Sequence, residues 1–238
     1  MKGILVLGLS AWVLLFAGCA LRPSGERPER FSTETYVVTP DTGVWDAEYG
    51  RTREADDCSF SFRVVRYDDG IGVFAEVTDN NCVCDDCVVG DGKCAAWNDD
   101  SLQVFFDGDL DGSTDARAGS ALRYGGQFSY VANGAAESFY SGRPNGFGTD
   151  WTGSAVVSTN ATGSIKIHYQ LWFSWNCLGR LVPPCRDEDV SFGFNIAVHD
   201  DDDGGRGDRA LYWKGTPNLP YRNESAFGRL VLKGSRAW

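Results

Sequence analysis

An acidic segment at residues 107–115 carries side chains that could bind a metal ion. Asp107, Asp109 and Asp111 occupy alternate positions just before Gly112. Carboxylates in this pattern, followed by a glycine that permits a sharp turn, are typical of loops that wrap Ca²⁺. The twelfth position is Ala118, where an EF-hand needs Glu, so an EF-hand is excluded. A calcium loop of another kind and a solvated acidic turn remain the two interpretations.

A second acidic run follows His199 and comprises residues 200–203, all of them Asp. Adjacent carboxylates repel one another, and a bound cation would relieve that repulsion. A solvated charge run is the alternative. The chain contains one other histidine, His168, and the sequence places each histidine in a strand rather than in a catalytic role.

Two tryptophans adjoin these polar segments. Trp97 precedes the Asp99–Ser101 turn, and Trp213 follows the second acidic run. Indole rings stack on the flat C–H patch of a sugar ring, while neighbouring polar groups bond its hydroxyls. A core position is the alternative for each of them.

Eight cysteines are present. With Cys19 set aside, an odd number remains, so at least one thiol is free or pairs between chains. Cys177 and Cys185 flank one loop and could close it as a disulfide. The run 82–94 contains four cysteines that could form disulfides or a thiolate metal site. It lacks histidine, and disulfides are the expected state of an exported chain.

The segments that position these residues are predicted to be strands. Phe60, Phe62 and Val64 alternate with polar residues, and 164–174 and 192–198 alternate in the same way. Shorter strands are predicted at 71–77, 102–106, 127–132, 155–158, 209–214 and 227–232. No stretch keeps a helical period. We therefore expect an all-β fold, a two-sheet antiparallel β-sandwich of the jelly-roll kind.

The N-terminus has the features of an export signal. Lys2 precedes an apolar run and then the sequence FAGC, which ends at Cys19. This pattern resembles a bacterial lipobox, which implies cleavage before Cys19 and a lipid on its thiol. A plain signal peptide is the alternative. We expect a signal peptide at 1–18, an anchor and tether at 19–35, and a sandwich at 36–238. By resemblance, Ala20 favours the outer membrane or the cell surface.

Five segments resemble the family 9 carbohydrate-binding modules in order and approximate spacing. They are WNDDSLQVFFD at 97–107, QF at 127–128, FGFNIAVHD at 192–200, RALYW at 209–213 and FGRLVL at 227–232. The resemblance covers about Tyr36 to Lys233. It implies a β-sandwich that binds sugar and structural Ca²⁺.

The resemblance also implies site residues. Trp97 and Trp213 match the two tryptophans that clamp a sugar in that family. The family's acidic residue falls at Gln103 and its arginine near Ser129, and Asn195 joins them as a group that would orient the hydroxyls. The implied calcium positions are Asp79, Asp107 and Asp200, to which the acidic loop adds Asp109 and Asp111.

These features predict a non-catalytic carbohydrate-binding surface lipoprotein for polysaccharides or oligosaccharides of the cellulose or xylan type. Its membrane contact would be through the lipid anchor only. The net charge of −11 opposes binding to nucleic acid. The alternative is a calcium-stabilised structural or protein-interaction sandwich. A part in a glycoside hydrolase system is less favoured, because no motif singles out two opposed carboxyls and the tether and sandwich leave no room for a catalytic domain.

Overall fold

A computed structural model describes most of the chain after residue 44. The described residues are 45–47, 58–90, 94–108, 125–140, 147–178, 183–185, 187–205, 207, 209–213 and 227–234, with backbone alone at 45–47, 125 and 139–140. All of them belong to the compact unit Glu34–Trp238. The predicted signal peptide, Cys19, the tether, Asp109 and Asp111 lie outside the described residues.

Strands dominate these residues. In chain order they are β1 (Trp45–Ala47), β2 (Ser59–Arg66), β3 (Gly70–Asp79), β4 (Ser101–Asp107), β5 (Gly125–Val131), β6 (Ala136–Tyr140), β7 (Trp151–Thr159), β8 (Ile165–Ser174), β9 (Val190–Asp200), β10 (Arg209–Tyr212) and β11 (Gly228–Leu232). A short 3₁₀ helix, Trp175–Leu178, follows β8. No helix in the described part of the chain has the length and apolar content needed to cross a membrane.

The strands form two antiparallel sheets. The first sheet has the order β1-β2-β3-β8-β7, and the second has the order β10-β9-β4-β5-β6, with β11 also paired to β9. β10 pairs with residues 197–200 of β9 and β11 with residues 190–194, so both lie along the edge of β9 that faces away from β4. The two sheets confirm the predicted all-β sandwich.

The hydrophobic core lies between the two sheets. Period-two alternation sends Leu102, Val104 and Phe106 of β4 inward, where they meet inward residues of the first sheet. Phe173 of β8 lies 5.0 Å from Phe106 and 4.9 Å from Phe128, measured between ring centroids. Burial of such side chains contributes about 1.5–3 kcal/mol each, so this aromatic cluster supplies much of the stability of the fold.

The turn between β2 and β3 depends on a glycine. Tyr67 N donates to Gly70 O at 2.8 Å to close the hairpin. A Cβ on Gly70 would lie 2.0 Å from the backbone oxygen of Phe173 on β8. Any side chain at this position would therefore push β3 away from β8.

Most strands predicted from the sequence are present, with bounds shifted by a few residues. The predicted strand 155–158 lies in the C-terminal half of the longer β7. β1 and β6 were not predicted: β1 has only 3 residues, and β6 is an edge strand that pairs only with β5 among the described residues.

Candidate functional site

The outer face of the second sheet, turned away from the core, carries a row of side chains in register. Tyr212, Ala197, Gln103, Ser129 and Glu137 are successive cross-strand partners on β10, β9, β4, β5 and β6. Gln103, Ser129 and Glu137, which we call the polar row, are buried, and Gln103 and Ser129 were both predicted site residues.

Hydrogen bonds fix the orientation of Gln103. Its Nε2 donates to Ser129 Oγ at 2.9 Å, and its Oε1 lies 3.0 Å from His199 Nε2. Burial lowers the pKa of His199 to about 4, although a hydrogen bond with the Trp97 backbone opposes this. His199 is therefore neutral near pH 7. The three side chains form one uncharged network rather than an acid–arginine pair.

Glu137 is a candidate functional residue that the sequence did not reveal. One of its oxygens, Oε2, is buried and has no hydrogen-bond partner in the described structure. Burial raises the pKa of Glu137 to about 7, and a hydrogen bond from the Ala96 backbone opposes the rise. Since the register places Glu137 beside Ser129, it supplies this face with the carboxyl group that Gln103 lacks. Nothing in the sequence singled out Glu137, because strand β6, which places it beside Ser129, was not predicted.

Trp97 lies at the end of a loop that reaches this face. Its backbone bonds to His199, and the preceding residue, Ala96, bonds to Glu137. A turn closed by Asn98 N and Ala95 O, at 2.7 Å, surrounds it. The Trp97 side chain is 47% exposed, whereas most tryptophans of the described chain lie in or against the core. The structure therefore presents an exposed indole next to the polar row.

Trp213 does not form the second wall of a cleft with Trp97. It is 5% exposed and lies in the core, with its ring 5.6 Å from that of Phe62 and 5.8 Å from that of Phe194. The alternation of β10 explains this correction, because Leu211 points to the core and Trp213, two residues later, follows it. Tyr212 is the aromatic residue on the outer face, where its ring lies 6.4 Å from that of His199.

Asn195 lies on the outer face of β9, opposite Phe105 of β4. It is fully buried, and its Oδ1 accepts a hydrogen bond from Ile196 N at 3.0 Å. Asn195 therefore belongs to the same face as the polar row, although no part of its side chain reaches solvent.

The predicted calcium residues separate into two locations. Asp79 and Asp200 come together with Cys58, so that one ligand-type atom of each lies within 4.8 Å of the others. Asp107 closes the opposite end of β4, about 20 Å away along a strand of this length. Asp107 therefore does not share a site with Asp79 and Asp200.

Burial changes the protonation of the Asp79 group. Asp100 and Asp200 both interact with Asp79, and the pKa values of all three carboxyl groups are raised, chiefly by burial. Asp79 Oδ2 and both oxygens of Asp200 have no hydrogen-bond partner among the described residues, although Arg209 Nε lies 3.3 Å from Asp200 Oδ2. Unsatisfied buried carboxylates of this kind are suited to a cation.

Among the described residues, one disulfide is present and the other cysteines lie outside it. Cys87 and Cys94 are joined, in the loop that leads to Trp97. The described cysteines outside this disulfide are Cys58, Cys82, Cys84, Cys177 and Cys185. The predicted closure of a loop by Cys177 and Cys185 is therefore wrong: Cys177 is buried and its Sγ lies 3.3 Å from Asp150 O, while Cys185 is exposed.

Comparison with solved structures finds the same fold. A family 9 carbohydrate-binding module from Caldicellulosiruptor kristjanssonii in complex with cellotriose matches with a TM-score of 0.52 and 15% identity, over 84% of this chain and 83% of that one. The same organism's module in complex with glucose matches with a TM-score of 0.54 and 15% identity, over 80% and 83%. A putative carbohydrate-binding protein from Bacteroides uniformis ATCC 8492 matches with a TM-score of 0.50 and 12% identity, over 73% and 78%.

No curated protein matches the chain significantly. The model of one protein family does match it, over residues 34–235, which is most of its length. That family is described as carbohydrate family 9 binding domain-like. The chain therefore belongs to the carbohydrate family 9 binding domain-like family.

Proposed function

We propose that the protein binds carbohydrate without catalysis, with Trp97 as the stacking platform. The observation that carries this proposal is the 47% exposed indole of Trp97, whose backbone bonds to His199 and whose neighbour Ala96 bonds to Glu137 of the polar row. Sugar C–H groups gain free energy by covering an exposed ring. Glu137 Oε2, which has no hydrogen-bond partner among the described residues, is the acceptor we propose for a sugar hydroxyl. Family membership supports this function.

The proposed ligands are cellulose- or xylan-type chains and their oligosaccharides. Cellotriose and glucose are bound by two structural neighbours, which supports this class. The amide of Gln103 and the hydroxyl of Ser129 in the polar row form one uncharged network with the neutral imidazole of His199. Such groups suit neutral sugars. Glu137 supplies the one carboxyl group of the row, and Tyr212 an aromatic edge at its other end.

Titration calorimetry with cello- and xylo-oligosaccharides tests the proposal. Trp97→Ala removes the platform and should weaken binding by about 1–3 kcal/mol, roughly ten- to a hundredfold in Kd. The matched control is Trp172→Ala, since this half-buried indole lies on the outward side of β8 in the first sheet. The control should bind like the wild type. Wild-type protein that binds no sugar of either series would contradict the proposal.

The second candidate function is a structural or protein-interaction sandwich that binds no sugar. The burial of Trp213 favours it, because only one of the two expected clamp residues is exposed. Under this hypothesis Trp97 is part of a protein-binding surface. The same calorimetry separates the two functions, since only carbohydrate binding gives a Trp97-dependent signal with oligosaccharides.

We also propose a structural Ca²⁺ ion at Asp79 and Asp200, with Asp100 beside them. Their buried and unsatisfied oxygens are hard donors of the kind that Ca²⁺ prefers, whereas the thiol of Cys58 is not. An ion bound only to the folded state stabilises it by about 2.7 kcal/mol at a hundredfold excess over Kd. EDTA should lower the melting temperature and Ca²⁺ should restore it better than Mg²⁺. An unchanged melting temperature would contradict this site.

Finally, we propose that the protein is exported and lipid-anchored at Cys19, at the bacterial outer membrane or cell surface. The FAGC sequence supports this. Each buried methylene of an acyl chain contributes about 0.8 kcal/mol to membrane binding. Cys19→Ala should abolish labelling with palmitate and release the protein from membranes. Continued labelling of that variant would refute the anchor.

A further inference from the structure

A second group of carboxylates lies at the same end of the second sheet as the Asp79 group. Ser101 pairs with His199 in the last step of the β4–β9 ladder, so the register places Asp99 opposite Asp201 beyond it. Asp85, from the segment 82–86, completes the group. One ligand-type oxygen of each of the three lies within 4.8 Å of the others. Asp201 belongs to the acidic run 200–203 for which a bound cation was one interpretation, whereas the sequence contains no such indication for Asp85 and Asp99.

The backbone holds two of these carboxylates in place through one oxygen each. Asp99 Oδ1 accepts hydrogen bonds from Asp85 N at 3.0 Å and from Asp86 N at 2.9 Å. Asp201 Oδ1 accepts from Gly204 N at 3.1 Å. The other oxygen of each, Oδ2, has no partner in the described structure, although both residues are 0% exposed.

The shape of the adjoining loop supports a built site. Gly204 has a φ of +74°, and a Cβ there would lie 2.7 Å from Asp85 Oδ2. Glycine therefore lets the 201–205 loop approach the Asp85 carboxylate closely. No arginine or lysine of the described residues forms an ion pair with Asp85, Asp99 or Asp201. Within the described part of the chain, no basic side chain offsets the negative charges of the group.

We propose that Asp85, Asp99 and Asp201 bind a hard divalent cation, with Ca²⁺ the best fit. Ca²⁺ takes carboxylate oxygens at about 2.3–2.6 Å, so two ligands on opposite sides of one ion lie about 4.8 Å apart. The observed spread of the three oxygens is compatible with one shared ion. A cation also satisfies the two buried oxygens, Asp99 Oδ2 and Asp201 Oδ2, that have no hydrogen-bond partner in the described structure. On a solvated acidic surface, water would bond to such oxygens and no cation would be needed.

This site differs from the proposed Asp79 and Asp200 site in its residues and in the loop that it would hold in place. Asp85 lies just before the disulfide Cys87–Cys94, whose loop leads to Trp97. An ion at Asp85 and Asp201 therefore ties that loop to the end of β9. Cation binding itself does not depend on the proposed function. Only the positioning of Trp97 for sugar rests on it.

Calcium titration of the full chain, stripped of metal with chelator and measured without sugar, tests the site. The probe is Ca²⁺ alone. Calorimetry measures its affinity, and equilibrium dialysis counts the bound ions. Asp85→Asn should lose one bound ion per chain, or weaken one site at least tenfold. Asp85 is exposed, so this variant should keep the wild-type circular dichroism spectrum.

The matched control is Asp203→Asn, which removes the same charge from an exposed residue of the same loop as Asp201. It should bind as many ions as the wild type and with similar affinity. The proposal is overturned if Asp85→Asn binds Ca²⁺ like the wild type. It is also overturned if both variants weaken binding equally, since that indicates general charge attraction. No sugar is present in these measurements, so their outcome is independent of the carbohydrate proposal.

Discussion

The two faces of β4 have different chemistry, although all 7 residues of the strand are buried. The inner face carries Leu102, Val104 and Phe106, which pack among other apolar side chains. The outer face carries Ser101, Gln103 and Asp107, together with Phe105, which packs against Ala197 and Tyr212. Burial of apolar groups stabilises the fold directly, whereas buried polar groups need partners to avoid a cost.

The comparison shows where function can be sought in this fold. On the inner face, each side chain is explained by packing. On the outer face, Gln103 is explained by its hydrogen bonds, but Glu137 Oε2 nearby has no partner. A buried polar atom without a partner needs a reason. A ligand that donates a hydrogen bond is the reason we propose on this face.

The largest expected effect is a difference in stability between variants of Trp213 and Trp97, two residues for which the sequence predicted the same role. Trp213→Ala should lower the free energy of unfolding by about 3–5 kcal/mol, because it leaves a cavity between Phe62 and Phe194. Trp97→Ala should lower it by less than about 1 kcal/mol, because surface changes are usually small. Urea unfolding of both variants measures this. A loss below about 1 kcal/mol for Trp213→Ala would show that it is not a core residue.

The period-two pattern made most of the fold predictable from sequence. Long alternating strands such as β8 and β9 were predicted because one face must be apolar. The same pattern cannot show which aromatic residue of a short strand faces inward. The run RALYW fits either choice, and only pairing with β9 shows that Tyr212 faces outward.

The site was less predictable because it depends on contacts between distant strands. Gln103 and Ser129 were identified only through the family resemblance, and the pairing of β4 with β5 makes them neighbours. Glu137 had no such signal, since it becomes significant only when β6 aligns beside Ser129. The Asp85 group likewise joins segments that are far apart in sequence.

An intermediate effect tests the uncharged network of the outer face. Gln103→Ala removes the partner of both Ser129 and His199, which stay buried. Leaving buried polar groups unpaired costs about 1–3 kcal/mol, so the free energy of unfolding should fall by that amount. Gln127→Ala is the control, because Gln127 lies on the same face of β5 and is only half-buried. It should change stability by less than about 0.5 kcal/mol. Equal losses in the two variants would mean that the network contributes nothing.

The last expected effect concerns Glu137 and depends on pH. Burial raises its folded-state pKa from the ordinary 4.5 to about 7. Between these values the unfolded chain loses its proton first, so this residue lowers the stability of the fold as the pH rises from 4.5 to 7 and no further above that. Glu137→Gln keeps an oxygen for the Ala96 backbone but cannot ionise.

The advantage of Glu137→Gln over the wild type should therefore grow from pH 4.5 to 7 and then level off. Urea unfolding at a series of pH values measures the difference between the two proteins, in which the titration of other groups largely cancels. A difference that stays constant with pH would show that Glu137 is ionised freely on this face. The carboxylate would then be solvated already, and this result would contradict the proposal that Glu137 accepts a hydrogen bond from a sugar hydroxyl.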